Sequence, residues 1–208
     1  KALNFGKAFH MCMLEHDKYK KEVVVEPDVN KRTKAGKEEY QKFLTLHEGM
    51  TILSNDEDQS LVGMRKRLTS SVEAMELLSG GVAEQVNIWN DPDTKTPCKG
   101  KADYWNKDRN ILVDIKTTQD SSPEGFRKSA YKYGYDRQAS FYLDGFGVEQ
   151  FWFIVIEKSA PYNMAIYNCS EEFLEEGRAK YKHLLDIHDY YFIQELFDPY
   201  EHVYTGTL

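Results

Sequence analysis

A run of apolar residues from Phe151 to Ile156 is the feature that most limits the folds open to this chain. A segment of strand length with no polar face is buried on both sides, as the central strands of layered α/β sheets are. Such a strand needs helices on both faces of its sheet. With 208 residues, the chain is long enough to build one domain around a large core. We therefore expect an α/β fold in which a mixed central sheet is flanked by helices, in a single domain over residues 1–208.

The residues before this run predict an antiparallel meander. Alternation over residues 82–89 places Val82, Glu84, Val86 and Ile88 on one strand face. Short polar turns connect the first three predicted strands, so these strands should be consecutive antiparallel neighbours. The sequence predicts strands at 82–89, 98–105, 111–117, 151–156 and 164–168, the last pairing with the central strand.

Helix signals occur on both sides of the meander. Ser54 and Glu57 form a capping box for a helix expected to run to residue 78. A second long helix should begin after Ser121 or Ser122 and continue to residue 145, with a break at Gly134. Further helices are expected at 5–15, 37–46 and after Ser170, with an extended piece at 23–25 and an irregular tail from Phe197.

The chemistry of the chain centres on acids and one lysine within the meander. Glu84 interrupts an apolar strand face, where a lone carboxylate is costly to bury unless it is paired or bound to a metal. Side-chain alternation places Asp114 and Lys116 on the same face of the third strand. Pairing through the turn at 106–110 should bring Asp103 close to Asp114, where the two like charges need a cation between them.

This set of oxygen ligands suits Mg²⁺, with Mn²⁺ as an alternative. The backbone carbonyl of Ile115 is a further candidate ligand. Lys116, beside the metal, can hold or help to deprotonate an attacking water and offset the charge of a phosphate. Taken together, Asp103, Asp114 and Lys116 indicate metal-assisted hydrolysis of a phosphodiester bond, in which Asp114→Ala or Lys116→Ala should abolish activity with little loss of thermal stability.

Structural interpretations exist for each of these residues. The spacing D-x10-D-x-K also fits a surface hairpin in which Asp114 pairs with Lys116 or Lys101, a contact worth about 1 kcal/mol or less. A single histidine on an apolar helix, such as His10, is more often part of the core than a metal ligand. Tyr142, at helical spacing from Gln138, equally fits a packing role.

The order of these residues resembles that of a known nuclease superfamily. A helical His10, then Glu84, then Asp103, then Asp114-Ile115-Lys116, then Gln138 and Tyr142 is similar to the RecB-type branch of the PD-(D/E)XK nucleases. Longer stretches resemble the RecE-type exonucleases (exodeoxyribonuclease VIII) within that superfamily. They are Gly6 to His10, Arg32 to Glu39, Asp114 to Thr118 and Gln138 to Gly145.

This resemblance implies a restriction-endonuclease-like core and a Mg²⁺-dependent 5′→3′ exonuclease. The enzyme would act on double-stranded DNA ends and pass single strand to an annealing protein in recombination and repair. It implies metal ligation by His10, Asp103, Asp114 and the Ile115 carbonyl with Glu84 beside them, and Lys116 as the catalytic lysine. The residues implied to contact DNA are Gln138, Tyr142, Arg32, Lys34 and Lys37. A homo-oligomeric ring around DNA is also implied, and the one departure from the pattern is Ala102, where proline is frequent.

Composition and charge are compatible with this function. The net charge of −7 lies mostly in residues 170–208, which hold nine acidic and three basic residues, so the rest of the chain is nearly neutral. Three separated cysteines without a CxxC pair favour a reducing cytoplasm and argue against an iron–sulfur cluster. Since no apolar run reaches the roughly 18 residues of a membrane span, we expect no membrane association.

Two alternatives remain open on the sequence. One is a nuclease with the same fold and a different use, either helicase-attached and RecB-like or from CRISPR adaptation. The absence of four clustered cysteines and of helicase motifs weakens both. The other is a catalytically silent DNA-binding or ring-scaffold module, which the intact acids and lysine disfavour.

Overall fold

The computed structural model describes residues 2–193, so the predicted irregular tail from Phe197 lies outside the described residues. The strands are β1 (Val23–Val25), β2 (Thr51–Leu53), β3 (Val82–Asn90), β4 (Pro97–Asn106), β5 (Ile111–Thr118), β6 (Gln150–Glu157) and β7 (Met164–Asn168). The helices are α1 (Ala2–Leu14), α2 (His16–Glu22), α3 (Lys34–Leu46), α4 (Asn55–Thr69), α5 (Val72–Leu77), α6 (Pro123–Tyr133), α7 (Tyr135–Phe146) and α8 (Glu171–His188), followed by a π-helical turn at Asp189–Ile193.

The main sheet has five strands in the order β3-β4-β5-β6-β7. The pairs β3–β4, β4–β5 and β6–β7 are antiparallel, whereas β5 and β6 are parallel. A parallel pair needs a long crossover connection, which α6 and α7 provide. The predicted meander, the predicted pairing of the last two strands and the mixed sheet are therefore confirmed.

Helices cover both faces of this sheet, each over its own core. On one face, α1, α4 and α5 pack on Val113, Ile115 and Ile154. On the other face, α6, α7 and α8 pack on Leu112 and Phe153. Because its side chains point alternately into the two cores, β6 is buried on both sides, as its apolar sequence predicted.

One predicted helix is two helices in the structure. The capping box at Ser54 and Glu57 is present at the start of α4, but the helix ends at Thr69 and α5 begins at Val72. The break occurs because the hydroxyl of Ser71 accepts a hydrogen bond from the backbone N–H of Ala74 and caps a new helix. The continuous helix predicted to residue 78 was therefore wrong at this point.

The predicted break at Gly134 is confirmed. Gly134 ends α6 in the left-handed conformation, with φ of 69°, which glycine adopts without steric cost. The chain then turns directly into α7. This break determines where Tyr135 and Gln138 face, and these two side chains contact Lys116 and Asp114 of β5.

Two local features depart from the sequence predictions. First, α2 and the strand β2, which pairs in parallel with β1, were not predicted. Second, the β3 face carrying Val82, Val86 and Ile88 is not a buried apolar face, because these side chains are 53%, 41% and 69% exposed. Strand β3 lies at the edge of the sheet. The alternation of apolar residues along it therefore does not mark a buried face.

Among residues 2–193, no helix combines the length and apolar character needed to cross a membrane.

Candidate active site

The site forms where β4 and β5 separate. In their backbone pairing, Asn106 lies opposite Ile111 and Tyr104 lies opposite Val113, and the pairing then stops. The next pair in that register is Asp103 opposite Asp114. Beyond it, the N–H of Ile115 donates to the Oδ2 of Asp103 at 2.8 Å instead of to a backbone carbonyl. In an extended strand the N–H and C=O of one residue point to the same side, so the Ile115 carbonyl also faces this gap.

Glu84 reaches the gap from β3 through an unusual backbone conformation. Its φ is 55°, in the left-handed region that non-glycine residues rarely occupy. Such strain persists where the surrounding structure imposes it, and it is concentrated at functional sites. The side chain is only 16% exposed and forms an ion pair with Lys101 on β4. Strand β3 thus directs one carboxylate into the site while its apolar neighbours face solvent.

His10 approaches from the adjoining helix α1. Its Nδ1 lies 3.3 Å from the Oδ2 of Asp103 and 4.0 Å from the Oε1 of Glu84. Ligand atoms of His10, Glu84 and Asp103 all lie within 4.8 Å of one another. We call these three residues the ligand cluster. They line a cavity of about 260 Å³ that also includes Lys7 and Lys101.

The electrostatics of the cluster favour a bound cation. Burial, together with the nearby charge of Asp114, raises the pKa of Asp103 well above its usual value. Burial lowers the pKa of His10, which leaves its imidazole neutral and able to bind a metal. The Nδ1 of His10 is buried and makes no hydrogen bond within residues 2–193. A buried ring nitrogen that faces two carboxylates without a hydrogen bond fits a divalent cation.

Asp114 and Lys116 form a second group beside the ligand cluster. The Nζ of Lys116 lies 2.7 Å from the Oδ2 of Asp114, and the Nε2 of Gln138 donates to its Oδ1 at 2.7 Å. Lys116 also lies over the ring of Tyr135, 4.8 Å from its centroid. Burial alone would lower the pKa of Lys116, but Asp114 and Asp103 outweigh it and raise that pKa, so the ammonium is retained. The Oδ2 of Asp114 thus pairs with Lys116 and its Oδ1 accepts from Gln138, and its role as a metal ligand remains a prediction.

The remaining predicted residues lie farther from the chemistry. Tyr142 is half-buried on α7, where its ring packs beside Gly100 of β4. Arg32, Lys34 and Lys37 are exposed around the start of α3, and no contact among the described residues links them to the ligand cluster. Their DNA-binding role therefore remains a prediction.

Two residues of the site were not selected from the sequence. Lys101 was considered only as an alternative partner of Asp114, and Tyr135 was not singled out. The signals were present, since Lys101 precedes Asp103 by two residues and Tyr135 lies one helical turn before Gln138. Neither signal distinguishes a site residue from a surface or core residue without the fold.

The family assignment agrees with this geometry. Residues 1–192 match the model of a family described as a PDDEXK-like domain of unknown function, DUF3799. The chain belongs to this family. The predicted PD-(D/E)XK fold is thereby confirmed, although nothing in the match singles out the RecE-type exonucleases. No protein with a curated description matches the chain.

Solved structures resemble this PDDEXK-like chain in fold. A candidate exonuclease from Eubacterium rectale is 12% identical, with a TM-score of 0.55 over 86% of this chain and 73% of that one. A phage-related exonuclease from Haemophilus somnus 129PT is 15% identical, with a TM-score of 0.39 over 82% of this chain and 91% of that one. At these identities the first likeness shows the fold alone, and the second is too distant to add to the argument.

Proposed function

We propose that this PDDEXK-like chain is a metal-dependent nuclease that hydrolyses phosphodiester bonds of DNA. The observation that carries the proposal is the convergence of four elements on one gap in the sheet. His10 of α1, Glu84 of β3 and Asp103 of β4 supply the ligand cluster, and β5 supplies Asp114 and Lys116 beside it. A surface hairpin with a single salt bridge would not bury these groups together.

Each side chain of the site has its own role in the proposed hydrolysis. His10, Glu84 and Asp103 would hold the cation, with the Ile115 carbonyl facing the same gap. When bound, a divalent cation such as Mg²⁺ or Mn²⁺ lowers the pKa of water and offsets the charge of phosphate oxygens. Lys116 adds a fixed positive charge next to the scissile phosphate and can orient the attacking water. Gln138 holds the carboxylate of Asp114, which in turn fixes the ammonium of Lys116.

The finer assignment rests on the resemblance to RecE-type exonucleases. It makes the chain a Mg²⁺-dependent 5′→3′ exonuclease acting on duplex ends, and it adds a ring assembly and a partner protein that anneals the exposed strand. The name of the Eubacterium rectale protein agrees with exonuclease action. Arg32, Lys34, Lys37 and Tyr142 would contact DNA away from the ligand cluster.

The rival interpretation is a catalytically silent DNA-binding scaffold. A chain that no longer needed chemistry would be free to replace Asp103, whose charge is disfavoured by burial and by Asp114. The unbonded Nδ1 of His10 would likewise have no reason to persist next to two carboxylates. Both features are costly in a scaffold and useful in a metal site.

Digestion of end-labelled linear duplex tests the proposal. The purified chain is incubated with Mg²⁺, with Mn²⁺ or with EDTA, on DNA whose 5′ or 3′ ends are blocked in turn. We expect metal-dependent release of nucleotides that a blocked 5′ end prevents. Digestion stopped only by a blocked 3′ end would refute the polarity, and no digestion with either metal would refute the nuclease.

A further inference from the structure

A second cavity is lined by Tyr135, the residue whose ring lies under the ammonium of Lys116. Its volume is about 640 Å³, larger than that of the cavity beside His10. It opens at the carboxyl end of β5, and its walls include Thr117 and Thr118 of that strand. No role in the proposed hydrolysis has been assigned to it above.

The walls that α6 and α7 contribute to this cavity are aromatic. Tyr133 is 60% exposed, and its ring centroid lies 5.9 Å from that of Tyr135, with the planes tilted by 32°. Phe126 closes the base of the cavity and is buried. An exposed tyrosine ring beside a second ring is a surface on which a flat, apolar ligand can stack.

The rim of the cavity carries more positive than negative charge. Lys132 and Lys158 are exposed and line it, and the ammonium of Lys132 lies 5.4 Å from the centroid of Tyr133. The one acidic side chain in the lining, Asp120, accepts a hydrogen bond from the backbone N–H of Ser122 at the start of α6. Hydrogen bonds from Ser122 lower the pKa of Asp120, so it stays ionised and directed toward the helix. The two lysines remain available to an anionic ligand.

Tyr135 connects this cavity to the site. It lines the cavity, and its ring also lies under the ammonium of Lys116. Thr117 and Thr118 follow Lys116 directly on β5. A ligand in the cavity would therefore share the Tyr135 ring with Lys116.

We propose that this cavity is a nucleotide subsite, in which a base of the bound strand stacks on Tyr133 while Lys132 and Lys158 contact its flanking phosphates. Aromatic rings with interleaved cations bind single strands in this way without reading sequence. A base inside a duplex is stacked on both faces, whereas an unpaired base offers a free face to Tyr133, so we take the ligand to be unpaired DNA beside the cleaved phosphate. The inference rests on the proposed nuclease function and specifies how the strand is held.

Binding of a short single-stranded oligonucleotide, measured in EDTA so that no cleavage occurs, tests the subsite. The probe carries 2-aminopurine, whose fluorescence falls when it stacks on a ring. We expect Tyr133→Ala to weaken binding about tenfold and to restore the fluorescence, and Tyr133→Phe to bind like the wild type. Tyr131→Ala is the matched control, because Tyr131 lies on the same helix but packs against Phe173 of α8.

A second measurement tests whether Lys132 and Lys158 contact phosphates. Lys132→Gln and Lys158→Gln should each lower the slope of log affinity against log salt concentration by about 0.7. If Tyr133→Ala and Tyr131→Ala both bind the probe as the wild type does, while the wild type still digests DNA with metal, the subsite is wrong and the nuclease stands. If the wild type neither binds the probe nor digests DNA, both proposals are overturned.

Discussion

Asp103 places a carboxylate where two effects oppose its charge. Burial and the neighbouring Asp114 both raise its pKa well above the usual value, so both oppose the ionised form in the metal-free chain. A carboxylate kept in such a position reduces stability in exchange for function. The same feature that supports a cation site therefore makes a prediction about folding.

Asp103→Asn should stabilise the metal-free chain at neutral pH by about 1 kcal/mol or more, while abolishing metal-dependent digestion. Asparagine removes the charge and keeps an oxygen to accept the N–H of Ile115. Because the folded pKa is raised, the destabilisation is present above that pKa and disappears below the unfolded value of about 3.9. Urea unfolding in EDTA over a range of pH measures this gain.

The control for that measurement is Asp108→Asn, at an exposed position in the turn between β4 and β5. It should change stability little at any pH. A destabilised Asp103→Asn at neutral pH would show that the carboxylate is compensated within the protein, contrary to our account.

Lys101 occupies one carboxylate of the ligand cluster through its ion pair with Glu84. This ammonium neutralises part of the carboxylate charge and repels a divalent cation beside it, so Lys101→Gln should tighten Mn²⁺ binding severalfold. Lys99→Gln is the matched control, since Lys99 is exposed on the same strand two residues earlier. Calorimetric titration with Mn²⁺ provides the measurement, and equal or weaker affinity in Lys101→Gln would contradict the competition.

At the residue scale, the sequence predicted those relations that depend on neighbours along a strand. Side-chain alternation was sufficient to place Asp114 with Lys116, and a short turn to place Asp103 opposite them. The contact of Gln138 with Asp114 was not predictable, because it depends on how α7 docks on the sheet. The positive φ of Glu84 likewise has no signal in residue type, since glycine or asparagine would be expected there.

At the element scale, the docking of α7 and α8 depends on a close approach at Gly177. A Cβ added there would overlap the carbonyl oxygen of Asp136 and crowd the hydroxyl of Ser140. We expect Gly177→Ala to destabilise the fold by about 1–3 kcal/mol. Because α7 also carries Gln138, the same change should reduce digestion through a shift of that helix.

Gly6→Ala serves as the comparison, because Gly6 also lies within a helix but a Cβ there meets no atom within 4 Å. That change should stabilise the chain by about 0.5–1 kcal/mol. Urea unfolding of both variants measures the difference, and equal stability of the two would show that the α7–α8 contact is not tight.

Element boundaries were predictable where a local group specifies them. Ser54 with Glu57, Gly134 and Ser170 each act within one turn of their own helix, and each was placed correctly. The break at Ser71 was missed because the apolar spacing continues through it. Strand β2 and its pairing with the predicted extended piece at 23–25 were missed because a three-residue strand has too few residues to show alternation.

At the scale of the whole molecule, the fold follows from one buried strand and one crossover. The apolar sequence of β6 predicted helices on both faces, and the turns predicted the meander. That β5 and β6 run parallel, and that α1 brings His10 over the gap between β4 and β5, depend on contacts distant in sequence. Of these two, the family resemblance implied only that His10 lies among the ligands.

The central claim is that His10, Glu84 and Asp103 hold a divalent cation next to Lys116. A crystal structure of the chain grown with Mn²⁺, with the ion located by its anomalous scattering, tests this most directly. We predict density between the Nδ1 of His10 and the carboxylates of Glu84 and Asp103. Manganese bound elsewhere, with these three side chains pointing apart, would contradict the account.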